Sequence, residues 1–154
     1  MKTTVVNSAL LASFMLLIGA NHSQIRDNEK GTSMAPILAE ALPIVQGIEE
    51  KGFEIVRMEF DLVSGTSTTF RSLYSQWSYG IVAFGDYRLE DIDIAVYKDV
   101  DGQWFMVERD AEAKSRAKVL IRPSVSGSYR IDVKAYKFKT GYQVGRYGLI
   151  IFHE

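Results

Sequence analysis

The chain has 154 residues, a formal net charge of −1, 47% hydrophobic residues and no cysteine. A nearly balanced charge argues against nucleic acid or another polyanion as partner, and the lack of cysteine excludes disulfides, thiolate catalysis and cysteine-ligated zinc.

Residues 1–20 read as a targeting segment. Lys2 supplies a minimal positive start, the stretch from Val5 to Ala20 is almost wholly apolar, and Gly19 and Ala20 offer the small residues that precede cleavage. A membrane-spanning helix would need about 20 apolar residues; this run is shorter, carries Asn7, and gives way to Asn21, His22, Ser23 and Gln24. No cysteine follows that could carry a lipid anchor. The expectation is a cleaved signal peptide and a secreted or periplasmic bacterial protein without a membrane span after cleavage. The remaining chain, about 130 residues, suffices for one core.

Residues 21–32 are polar and form an expected lead-in. Thr32 or Ser33 then caps a helix in which Met34, Ile37, Leu38, Ala41, Leu42, Val45 and Ile48 recur at three- and four-residue spacing. Pro36 suits the first turn, Pro43 is expected to kink the middle, and Lys51 and Gly52 end it. Glu40, Glu49 and Glu50 would be repelled by anionic lipid, so the apolar stripe is expected to pack on the rest of the domain. The expected boundaries are 1–20 signal, 21–52 lead-in and helix, and 53–154 β domain.

After Gly52 the pattern shifts to short β segments broken by Gly, Asp and Ser. Val56, Met58, Phe60 and Leu62 alternate with charged residues as in a half-buried strand, and Ser64 and Gly65 turn the chain. Further strands are expected near 68–73, 77–84, 92–97, 103–109, 117–122, 128–136 and 146–152. The stretches 77–84 and 147–152 are apolar at consecutive positions, which predicts central strands covered on both faces. In 128–136, Tyr129, Ile131, Val133 and Ala135 are expected to face in, and Arg130, Asp132 and Lys134 out. About eight strands at this spacing predict an all-β sandwich or barrel.

Asp91 and Asp93 stand two apart on a predicted strand, on one face and about 7 Å apart. With Asp86, Glu90 and Asp110 they form a candidate calcium site, since that ion takes several carboxylate and carbonyl oxygens; the competing reading is a set of solvated turn acids. The same two Asp could serve as an acid–base pair of a small hydrolase, which requires a cleft and one carboxyl held protonated by burial. There is no Gly-x-Ser-x-Gly elbow and no Gly-rich phosphate loop. His22 and His153 lie at the processing point and beside the end of the sequence, poorly placed for a triad or a zinc site. Lys134, Tyr136, Lys137, Phe138, Lys139, Tyr142 and Arg146 mix cations with rings around the last connection. They could stack on sugars or clasp an acidic polymer; equally, the Lys residues could discourage edge-to-edge strand pairing.

The order of motifs is distinctive: WSYGIVAFGD at 77–86, DIDIAVY at 91–97, Asp101-Gly102, Pro123, SGSYRIDV at 126–133 and GRYGLII at 145–151. Over roughly 53–152 it resembles the bacterial pre-peptidase C-terminal domain, a jelly-roll-like β-sandwich related to collagen-binding domains and appended to secreted proteases. The resemblance implies an antiparallel sandwich and an exported, non-catalytic accessory module for a protein or polysaccharide partner. It also implies calcium in some relatives, with Asp91 and Asp93 matching the family's Asp-x-Asp. The helix before residue 52, the charged 110–118 segment and the lack of a peptidase domain depart from the family pattern.

Overall fold

A computed structural model describes residues 33–154, of which 35–154 form one compact unit. The expected signal segment and the polar lead-in of residues 21–32 lie outside the described residues. Helix α1 (Ala35–Glu49) is followed by eight strands: β1 (Glu54–Val63), β2 (Thr66–Leu73), β3 (Tyr79–Gly85), β4 (Leu89–Val100), β5 (Gln103–Asp110), β6 (Arg116–Ile121), β7 (Gly127–Phe138) and β8 (Gly145–His153). They pair antiparallel in two sheets, β1-β8-β3-β6 (sheet 1) and β2-β7-β4-β5 (sheet 2). The expected antiparallel β-sandwich of eight strands and one helix is the observed fold.

Between the sheets lies one core, built mainly from inward residues that alternate along β3, β4, β6, β7 and β8. Ile81 and Ala83 of β3, Leu149 and Ile151 of β8, Ile92, Ile94 and Val96 of β4, and Tyr129, Ile131 and Val133 of β7 are all buried in it. The expected alternation in β7 holds, with Arg130 and Asp132 half-buried and Lys134 exposed on the outer side.

β3 and β8 are buried along nearly their whole length on both faces, as their continuous apolar runs predicted. Their outer face carries two reciprocal pairs. In the β3–β8 register Gly80 opposes Phe152 and Phe84 opposes Gly148. Each ring lies over the glycine opposite, filling the space a Cβ would occupy. Phe60 of β1 meets Phe84 edge-on with ring centroids 6.3 Å apart.

Helix α1 packs on this outer face, touching β1, β3 and β8, and buries Ile37, Ala41 and Ile48. The buried stripe is narrower than the sequence predicted: Leu38 and Leu42 are exposed, because a single flat sheet covers only one side of the helix. The helix starts at Ala35 with Pro36 in its first turn and continues as one helix past Pro43 to Glu49, although Pro43 has no N–H to donate to the carbonyl one turn back. At its end Gly52 adopts φ 75°, donates to the Glu49 carbonyl, and Phe53 N–H reaches the Ile48 carbonyl. This pair of hydrogen bonds satisfies two of the last helix carbonyls, in a left-handed conformation that favours glycine.

Of the apolar residues of β1, only Val63 at its end reaches the core between the sheets; the alternating set before it faces the other way. Phe60 shares a face with Gly148 and Met58 with Ile150 in the β1–β8 register, so these residues point to the helix side rather than between the sheets. The inter-sheet side of this edge is polar: Glu59 takes ion pairs from Arg57 and Arg71, and Ser67 bonds the Tyr147 hydroxyl at 2.7 Å. Asp101 (φ 53°) and Gly102 (φ 81°) form the two-residue turn of the β4–β5 hairpin, the mirror-type turn that an Asp-Gly pair predicts.

Candidate functional site

The five candidate acids do not converge. Asp86 is buried and is held by the Arg88 guanidinium, with Nε 2.9 Å from Oδ2. It also accepts the backbone N–H of Arg88 at 3.1 Å and of Arg146 at 3.3 Å, pinning the β3–β4 turn to β8. This charge-assisted bond to Asp86 raises the Arg88 pKa above its ordinary value. Glu90, exposed, pairs with Lys137 at 2.6 Å.

Asp91 sits between two register shifts of the β4–β7 ladder and is buried against the β5–β6 connection. Its Oδ1 accepts the Lys114 N–H at 3.1 Å, while Ile92 N–H donates to the Lys114 carbonyl at 3.0 Å. Asp110 ties down the same connection, accepting from Glu112 N–H at 3.1 Å, Lys118 N–H at 2.9 Å and the Lys114 ammonium at 3.1 Å. Burial works against its charge, but the N–H groups of Lys118 and Glu112 and the Lys114 ammonium outweigh that and lower its pKa. Asp93 alone is pushed up, first by burial, then by the charge of Asp91 and, less, of Asp110, with Lys134 and Arg109 opposing.

Three of the five acids, Asp86, Asp91 and Asp110, therefore anchor loops through backbone N–H groups. Among the described residues no group of three or more His, Cys, Asp or Glu is placed to hold a metal ion. The residues do not fit one calcium site. Sequence spacing could not show this, since N–H groups that engage these carboxylates come from residues 23 or more positions away in two of the three cases. The raised pKa of Asp93 is the direction a general acid needs, yet the cavities described below are lined by neither Asp91 nor Asp93.

The basic and aromatic cluster is also divided. Phe138 packs against the core, Lys137 is engaged by Glu90, and Tyr142 meets the Tyr87 ring edge-on at 5.8 Å. Lys139 N–H donates to the Arg88 carbonyl, and Arg146 N–H binds Asp86. These residues brace one end of the sandwich. Lys134 and Tyr136 instead lie on the outer face of sheet 2, with the ammonium 4.8 Å from the ring centroid.

That face carries the feature the sequence reading missed. Phe70 of β2 opposes Arg130 of β7, which opposes Tyr97 of β4; Trp104 stands near the β5 end of this row. Phe70 is 54% exposed, and its ring centroid is 5.5 Å from that of Trp104. The Arg130 guanidinium lies 4.1 Å over Tyr97 and 5.6 Å from Trp104, and is joined to Asp132 at 3.3 Å. The next row is small and polar: Thr68, Asp132 and Ala95, with Thr68 Oγ1 donating to Asp132 at 2.8 Å. Lys134 and Tyr136 continue along β7. The surface thus runs from an aromatic cluster through a shallow hydrogen-bonding saddle to a second aromatic residue, about 20 Å along one strand. A partial signal existed in the sequence: Phe70 and Tyr97 fall at positions opposite in phase to the core residues of their strands, whereas β5, which carries Trp104, has no buried residue to set a phase. It becomes visible only once the three strands are placed in one sheet.

No protein-family model matches the chain, and no curated protein matches it. Among solved structures, the fold is similar to the pre-peptidase C-terminal domain of collagenase from Bacillus anthracis, at 13% identity over 62% of this chain and 87% of that one, with a TM-score of 0.49. It is also similar to the mitogen derived from Yersinia pseudotuberculosis (14% identity, 64% and 85% covered, TM-score 0.47). A third likeness is to the periplasmic inhibitor of g-type lysozyme from Aeromonas hydrophila (14%, 68% and 90%, TM-score 0.43). The first agrees with the resemblance carried by the motif order. At these identities the likeness concerns the fold alone.

Proposed function

We propose that this chain is an exported, non-catalytic binding module that holds a polysaccharide along the outer face of sheet 2. One observation carries the reading: Phe70, Tyr97, Trp104 and the stacked Arg130 form a solvent-facing cluster on a rigid sheet rather than on a loop. Rings fixed by strand backbone offer flat apolar surface at low entropic cost, and the adjoining Thr68, Asp132 and Lys134 supply donors and acceptors for hydroxyl groups. The mixed charge of this face, with Arg130 and Lys134 beside Asp132 and Asp93, suits a neutral polymer better than a polyanion. Export is supported by the apolar 1–20 stretch; among the described residues no helix is long and apolar enough to cross a membrane.

Affinity electrophoresis in gels containing neutral polysaccharides tests the proposal. The chain is expected to be retarded by at least one of them, and Trp104→Ala is expected to weaken retardation about tenfold or more, the scale of losing a central aromatic anchor. Retardation undiminished in the Phe70→Ala, Trp104→Ala double variant, or none by any neutral polymer, overturns it.

A further inference from the structure

The opposite side of the sandwich holds a second, unrelated site. Where α1 ends, the outer face of sheet 1 is left uncovered beside the edge strand β6, and a cavity of about 540 Å³ opens there, well within the about 300–1,000 Å³ of small-molecule sites. Its floor is apolar: Phe53 stacked on Phe152 at 5.6 Å, with Leu120 beside them, around Gly80; Tyr79 and Ile121 border it but turn their side chains into the core between the sheets. Leu120 is 63% exposed, an aliphatic side chain held in water at the cavity wall. A smaller cavity of about 260 Å³ between α1 and the sheet shares Lys51, Phe53, Lys118 and Phe152 with it, so the apolar floor continues under the helix.

The rim is cationic. Lys51 follows the helix, Lys118 precedes Leu120 on the outward side of β6, and Arg122 comes just after the strand ends. None of the three forms an ion pair among the described residues, although most other basic side chains of the sandwich do. Glu154 is the one acid in the lining. Three uncommitted cations around an apolar floor complement a molecule with a hydrophobic body and a negative head, and disfavour its cationic counterpart.

We infer that this cavity binds a small amphipathic carboxylate, its apolar tail on Phe53, Phe152 and Leu120 and its carboxylate between Lys118 and Arg122. The site is independent of the polysaccharide face, because it is built from the other sheet. Decanoate, kept below its micelle concentration, is the probe, titrated into the purified chain by calorimetry and by amide NMR. Saturable binding is expected, with shifts centred on Gly80, Leu120 and Phe152. The Lys118→Gln, Arg122→Gln variant is expected to bind about tenfold more weakly, the scale of a lost charge-assisted contact, with its unfolding midpoint unchanged because both side chains are exposed. Decyltrimethylammonium, with the same tail, is expected not to bind. Absence of saturable decanoate binding, equal binding by the double variant, or equal binding of the cationic probe overturns the inference.

Discussion

Gly148→Ala tests the packing that joins the two central strands to the helix layer. An added Cβ at this position would lie 2.6 and 2.8 Å from Cε2 and Cε1 of Phe84, and closer still to Cζ. Ordinary carbon contacts lie at about 3.5 Å or more, so the ring has to retreat by about 1 Å. It has nowhere easy to go, being 1% exposed and set edge-on against Phe60. Forcing a methyl into such packing costs about 1–3 kcal/mol. In an uncrowded strand the same substitution would stabilise by about 0.4–1 kcal/mol, through the unfolded chain. The sign therefore discriminates. We expect a net loss of about 1–2 kcal/mol, measured by urea unfolding, and a lower Tm. Phe84→Leu, which shortens the obstructing side chain, should recover part of the loss, giving a coupling energy of about 1 kcal/mol in a double-mutant cycle. A Gly148→Ala protein as stable as the parent, or more so, would refute the reasoning.

Four further outcomes follow from the site geometry. Arg88→Met leaves the Asp86 carboxylate buried without its partner and is expected to destabilise by about 3–5 kcal/mol, whereas Lys137→Met, which frees only exposed Glu90, should leave the midpoint of the same unfolding assay unchanged. The Asp110 pKa is lowered on folding, so its stabilisation is complete above the unfolded value and is lost as pH falls through the lower folded one; Asp110→Asn should be less stable at neutral pH, with the deficit closing in acid, and a deficit constant across that range would contradict it. Asp93 has the opposite sign: its pKa is raised, so ionisation weakens the fold as pH rises past the unfolded value, and Asp93→Asn should raise Tm at neutral pH but not in strong acid. Thermal midpoints in millimolar calcium and in chelator should coincide, since four of the five carboxylates are separately engaged; an upward shift with calcium, abolished by Asp91→Ala with Asp93→Ala, would restore a shared ion site.

Much of the architecture is legible in the sequence because it depends on local periodicity. The change from three- and four-residue spacing to alternation at Gly52 marks the end of helix and start of sheet. The unbroken apolar runs of β3 and β8 predict coverage on both faces, and Asp101-Gly102 predicts the hairpin. The direction of β1 escaped this logic: Met58, Phe60 and Leu62 alternate correctly, yet an alternating strand has two possible orientations. The helix layer, lying on the side of sheet 1 away from sheet 2, is what draws its apolar set outward. The acids escaped for a related reason. Spacing places Asp91 and Asp93 on one strand, but says nothing of the Lys114, Lys118 and Arg146 N–H groups that compete for carboxylate oxygens.

The sequence by itself determined the strands, the inward residues of β7, the helix and its glycine stop, since each is written in a pattern that repeats within a few residues of chain. Only the tertiary structure decided which surfaces face solvent together. Phe70, Tyr97, Trp104 and Arg130 come from four strands, and Lys51, Leu120 and Phe152 from three separate segments. Their proximity is a consequence of sheet order, and sheet order is set by the burial of the core, to which none of the four platform residues belongs.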